Sequence, residues 1–146
     1  MKLFIVTLIV LFKSCNATDP ESASFTIATG SNSFTIQEKI SVPIIFTNAL
    51  GRDAAIINSG CGFPNFSIER NIDNVWHTEG GPVCVALAVA PTIVADGKTF
   101  EATVGMYAEN TIVTGTYRMK FDVREKNLGS AIENRFLYSN SFTIYR

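Results

Sequence analysis

Histidine is nearly absent from this chain, which has one, His77, in 146 residues, alongside three cysteines and one tryptophan. A hydrolytic nucleophile needs a base beside it, and no Gly-x-Ser-x-Gly elbow accompanies that single histidine. His77 therefore reads as a strand-surface or rim residue. Two cysteines and one histidine do not complete a four-ligand zinc shell without a carboxylate. Gly60-Cys61-Gly62 and Gly80-Gly81 lack the strand-to-helix setting of a phosphate loop. Asp73, Glu79 and Asp96 are scattered acids with no pairing motif for glycoside chemistry, and Asp73-Asn74 falls short of a calcium loop. The expectation is a protein with no catalytic residues, no metal and no cofactor.

Charge of one sign is also lacking. Twelve Lys/Arg face thirteen Asp/Glu, a formal net charge of −1. Without Lys2 and Lys13, ten basic residues remain against thirteen acidic, with the signs interspersed. Nothing predicts nucleic acid or electrostatic attachment to anionic lipid. No apolar run reaches the eighteen or so residues of a membrane span. The longest, Leu3 to Phe12, follows Lys2 and suits the h-region of a secretory signal.

That run ends in Phe12-Lys13-Ser14-Cys15, which resembles the lipobox of bacterial lipoproteins, with Lys13 where a small or apolar residue is usual. Cys15 is the expected lipidation site, and residues 1–15 the signal peptide. Ordinary cleavage before Thr18 is the alternative, giving a secreted or periplasmic protein. Residues 16–23 are small, polar and helix-breaking, and read as a tether. Either route leaves Cys61 and Cys84 as an even pair in an oxidising compartment, so a Cys61–Cys84 disulfide is expected. Closing that loop would stabilise the fold by about 3 kcal/mol.

Residues 24–146 read as one all-β domain. Ile40, Val42, Ile44 and Phe46 alternate in one run, and Pro43 within it points to an edge position or a bulge. Asp96-Gly97 is a turn signal before the alternating Phe100, Ala102, Val104 and Met106. Gly105 in that strand suggests a bulge. Cys84 to Val89 reads as a buried strand, and Arg135 to Tyr145 as the last. Ser31-Asn-Ser-Phe-Thr-Ile36 recurs as Ser139-Asn-Ser-Phe-Thr-Ile144, and Ser22 to Ile27 nearly repeats it. Unequal separations exclude a solenoid; shared composition suited to edge strands accounts for it.

Gly115-x-Tyr117 opens a strand in which Tyr117, Met119, Phe121 and Val123 point one way and Arg118, Lys120 and Asp122 the other. With Phe46-Thr47-Asn48, Ile68-Glu69-Arg70 before Val75-Trp76, Ala95 to Phe100, and Ser141 to Ile144, this corner resembles bacterial immunoglobulin-like domains of secreted proteins and lipoproteins. The same order is similar to bacterial intracellular proteinase inhibitors of that fold. The resemblance implies an antiparallel β-sandwich of seven to nine strands with Greek-key connections, Tyr117 pinning a corner and Trp76 in the core. Cys61 and Cys84 stand too close together for the antibody inter-sheet bond, and Met119 occupies its second position.

The segment from Gly60 to Pro82 is the candidate partner-binding loop, with Phe63, Pro64, Phe66 and His77 as its contacts. The resulting expectation is a non-enzymatic protein of the bacterial envelope that binds an envelope or extracellular protein. Its one link to the membrane would be the lipid on Cys15. The alternative is a proteinase inhibitor acting through the disulfide-braced Gly60–Pro82 loop.

Overall fold

The computed structural model describes residues 24–36, 39–61, 64–81, 89–107, 112–125 and 134–146. These form eleven strands and no helix: β1 (Ser24–Thr29), β2 (Ser33–Thr35), β3 (Lys39–Ala49), β4 (Ala54–Ile56), β5 (Phe66–Ile72), β6 (Val75–Gly80), β7 (Thr92–Val94), β8 (Thr99–Tyr107), β9 (Gly115–Glu125), β10 (Asn134–Tyr138) and β11 (Phe142–Tyr145). The expected signal peptide, Cys15, the tether, Phe63, Cys84 and nearly all of the expected Cys84–Val89 strand lie outside the described residues.

A smaller sheet has the order β1-β3-β8. The larger sheet is built around β9. One edge of β9 takes β11 and then β10; the other takes β5 and then β4. β2 extends it beyond β11, β6 beyond β5, and β7 beyond β4. The two sheets, β1-β3-β8 and the larger one around β9, pack as an all-β sandwich. The strand count exceeds the expected seven to nine because β7 was not among the expected strands and the last expected strand divides. The final one breaks at Ser139–Ser141 into β10 and β11, both on the same edge of β9. One pair, β2 with β11, is parallel, a departure from a purely antiparallel sandwich.

The core follows from the period-two pattern. Ile40, Val42, Ile44 and Phe46 of β3 face Tyr117, Met119, Phe121 and Val123 of β9, and all eight are buried. Phe46 and Phe121 join the sheets edge to face at 5.1 Å, a preferred aromatic geometry. Asn48, fully buried at the end of β3, donates from Nδ2 to the Arg52 and Val94 carbonyls at 2.8 Å each. Its Oδ1 accepts from the Leu50 amide at 3.0 Å. One side chain thereby fixes two connections. The turn at Asp96-Gly97 forms as expected, with Gly97 at φ 67° and its amide on the Asn48 carbonyl at 2.8 Å.

Two expectations are corrected. Pro43 lies in the central strand of the smaller sheet. Its carbonyl accepts from the Gly30 amide at 2.8 Å just past the end of β1. Its ring nitrogen points the same way, so the missing N–H costs only the last rung. Gly105 sits in a continuous register with β3 and makes no bulge; a Cβ there would come 2.9 Å from Lys39 Cε. Glycine admits the lysine stem.

Candidate functional site

The larger sheet is wider than the smaller one, and that difference creates the most distinctive surface of the molecule. Among the described residues β6 pairs only with β5. Five of its six residues are exposed. Trp76, expected in the core, is therefore half-buried on the outer face of the larger sheet and absent from the buried core. The Trp-containing strand lies one column too far out for the smaller sheet to cover it.

On that outer face the Arg118 guanidinium lies between two rings, 4.2 Å from the centroid of Trp76 and 3.9 Å from that of Tyr138. Arg118 Nε and NH2 both reach Glu69 Oε2 at 2.7 Å, and Glu69 is only 6% exposed. The register explains the assembly: Glu69 pairs with Arg118 across β5 and β9, while Lys120 pairs with Tyr138 across β9 and β10. Next along, Lys120 Nζ stands 4.2 Å over the ring of Phe136. Phe136 is 54% exposed and Tyr138 42%. Beyond it Arg124 meets Asp122 at 3.5 Å.

This row of rings and cations has the composition of interface hot spots, which favour Trp, Tyr and Arg. A cation over an aromatic face gains from the ring quadrupole. The carboxylate of Glu69 holds Arg118 in place and neutralises it, so the rings stand as a fixed platform. Trp76, Arg118 and Tyr138 come from β6, β9 and β10, which are far apart in sequence. Only Arg118, pointing outward beside the corner tyrosine, left a readable sign.

The residues expected to bind a partner do not form one loop. Most of Gly60–Pro82 is the β5–β6 hairpin. Phe66 is 6% exposed and belongs to the core, so its assignment as a partner contact is corrected. Its ring packs 6.1 Å from Phe121, because β5 turns that position inward. Pro64 is buried too, bridged to Asn58. His77 is exposed on β6, opposite Arg70. Asp73 and Asn74 have φ of 52° and 65°, the two positive values of a two-residue hairpin turn. Their composition serves that turn. Cys61 is exposed. No group of three or more potential metal ligands occurs among the described residues.

Tyr117 behaves as the corner residue it resembles. Its hydroxyl donates to the Val113 carbonyl at 2.7 Å and accepts from the Val113 amide at 3.3 Å. Burial raises its pKa, partly offset by that backbone bond and by Arg70. Arg70 is held charged chiefly by its 2.6 Å bond to Glu79.

No family model matches the chain, and no curated protein does. Several solved structures share a low likeness. The Pseudomonas fluorescens alkylpurine DNA glycosylase AlkC, bound to DNA with an abasic-site analogue, gives a TM-score of 0.43 at 8% identity, over 85% of this chain and 31% of that one. The Erythrobacter marinus b-glucosidase EmGH1 gives 0.41 at 10%, over 84% and 15%. The Bacillus subtilis sporulation control protein Spo0M gives 0.35 at 9%, over 86% and 50%. The chain thus spans half or less of each of these proteins. Likeness at this level carries no argument about activity.

Proposed function

We propose that this chain is a non-enzymatic immunoglobulin-like module, exported to the bacterial envelope, that binds a protein through the outer face of its larger sheet. The observation that carries this reading is the Arg118 guanidinium clamped between Trp76 and Tyr138 and tied to Glu69. A solvated sheet face needs no such arrangement. Exposed aromatics with a pre-ordered arginine lose little side-chain entropy on binding. In this reading Cys15 carries the lipid and Cys61 pairs with Cys84, bracing the chain around the β5–β6 hairpin. Burial of Phe66 and Pro64 removes two of the contacts that an inhibitory loop would need, so the inhibitor reading has no observation in its favour.

The test is site-specific photocrosslinking in cells, with the probe placed at Tyr138 or, for comparison, at Thr26 on the smaller sheet. A discrete protein adduct from position 138 alone, lost in Trp76→Ala, is the expected result. Equal adducts from both positions, or none from 138, would overturn the reading.

A further inference from the structure

The edges of the two sheets are treated unequally. At β2 the outward-facing backbone of Ser33 is occupied by a side chain. Its amide donates to Ser31 Oγ at 3.2 Å, and that hydroxyl donates to its carbonyl at 2.9 Å. The edge at β6 is broken by a register shift between Ile68 and Glu69. Natural proteins use such devices to stop edge pairing. β8 has neither. Its nine residues run in unbroken register with β3, without proline or lysine, and no strand pairs with its outer side among the described residues.

The ladder shows which of its amides face outward. Asn48 N–H donates to Lys98 O at 3.0 Å, which makes that pair a hydrogen-bonded one. Pairs alternate along an antiparallel ladder. Pro43 directs its carbonyl to Gly30 and stands opposite Thr103. Thr99, Glu101, Thr103, Gly105 and Tyr107 therefore turn their N–H and C=O groups away from β3. Below this edge the larger sheet extends a further column. On its inward side Val75, 55% exposed, and His77 lie uncovered.

We propose that the free edge of β8 accepts an extended strand from a protein partner. That strand has apolar side chains facing the β6 shelf and a basic side chain opposite Glu101. Glu101 is the one charged residue of β8, so charge complementarity places the cation. A second copy of this sandwich does not fit there. Pairing two β8 strands antiparallel puts both larger sheets on the same side, and each would occupy the space of the other's β6 column. A single strand supplies the missing backbone bonds and covers the shelf, in the manner of β-strand addition. This surface is separate from the aromatic platform and does not depend on it.

The test follows amide exchange in the full chain with the peptide Ac-Thr-Val-Thr-Val-Lys-Val-Thr-NH2. Without peptide, the Glu101, Thr103 and Gly105 amides should exchange quickly, and those of Ala102 and Val104, bonded to β3, slowly. Saturating peptide should slow the first set about tenfold and leave the second unchanged. Replacing the peptide's lysine by glutamate should weaken binding about fivefold, and Glu101→Lys should reverse that order. Thr103→Pro removes one outward N–H and no β3 bond, and should abolish the effect. Outward amides already as protected as Val104's would mean that the chain fills its own edge, and the proposal fails. It also fails if binding ignores residue 101 or survives Thr103→Pro.

Discussion

Phe34 and Phe142 hold the same place in two identical hexapeptides, and their rings meet edge to face at 5.4 Å. The copies lie side by side as β2 and β11, parallel, with Ser33 opposite Thr143. That register is offset by two residues from the sequence identity, and an even offset keeps both phenylalanines on the core face. The equivalent asparagines also meet: Asn140 Nδ2 donates to Asn32 Oδ1 at 3.0 Å, and Asn140 Oδ1 accepts from the Thr29 amide at 2.6 Å. One sequence thus builds an edge strand and its inner neighbour.

The two phenylalanines differ in burial, and their replacement should separate accordingly. Phe142, 1% exposed and stacked 6.2 Å from Tyr117, should lose about 3–5 kcal/mol as Phe142→Ala. Phe34, half-buried at the edge, should lose about half as much as Phe34→Ala. Urea denaturation of each variant measures both values. Equal losses would contradict the two environments.

The paired serines make a sharper contrast. Ser139 Oγ accepts from the buried Met119 amide at 3.0 Å. Ser139→Ala strands that amide and should cost about 1–3 kcal/mol. Ser31 performs its bonding on the free edge, so Ser31→Ala should cost under about 1 kcal/mol while unblocking Ser33. Its expected signature is concentration-dependent association in sedimentation velocity. A strictly monomeric Ser31→Ala would remove the edge-blocking role.

The strands with strict alternation, β3, β8 and β9, were legible because one face of each is buried and the other wet. The corner was legible from Gly115 and Tyr117 because a buried hydroxyl needs a backbone partner. Trp76 and Phe66 were misplaced for a physical reason. Residue type reports the wish to be buried, whereas burial depends on which column of the sheet the strand occupies. β5 lies under the smaller sheet, so Phe66 enters the core; β6 lies outside it, so Trp76 does not. The aromatic platform was invisible because its members come from three strands, and no local pattern records their pairing.

Trp76 is the chain's single tryptophan, which makes its placement directly observable. Half-exposed beneath Arg118, it should be quenched by acrylamide well above the rate of a core tryptophan. Arg118→Ala removes the covering guanidinium and should raise that quenching further. Trp76→Ala should cost about 1–2 kcal/mol, short of the ~3–5 kcal/mol of a core aromatic. A blue, quencher-resistant emission in the wild type would place Trp76 in the core after all.

Tyr117 should give the fold an alkaline limit. Its hydroxyl is buried and its folded pKa lies above the ordinary 10.0. The folded state therefore holds the proton more tightly than the unfolded chain. The stabilisation from this group is complete below about pH 10 and is lost as pH rises through the folded value. Tyr117→Phe has no proton to lose. It should cost about 1 kcal/mol at neutral pH, the net worth of the Val113 bond, and show a shallower fall in stability above pH 10 than the wild type. Urea midpoints taken from pH 7 to pH 11 measure both effects at once. Parallel profiles for the two proteins would show that the alkaline limit arises from another group and that the corner hydroxyl does not titrate with folding.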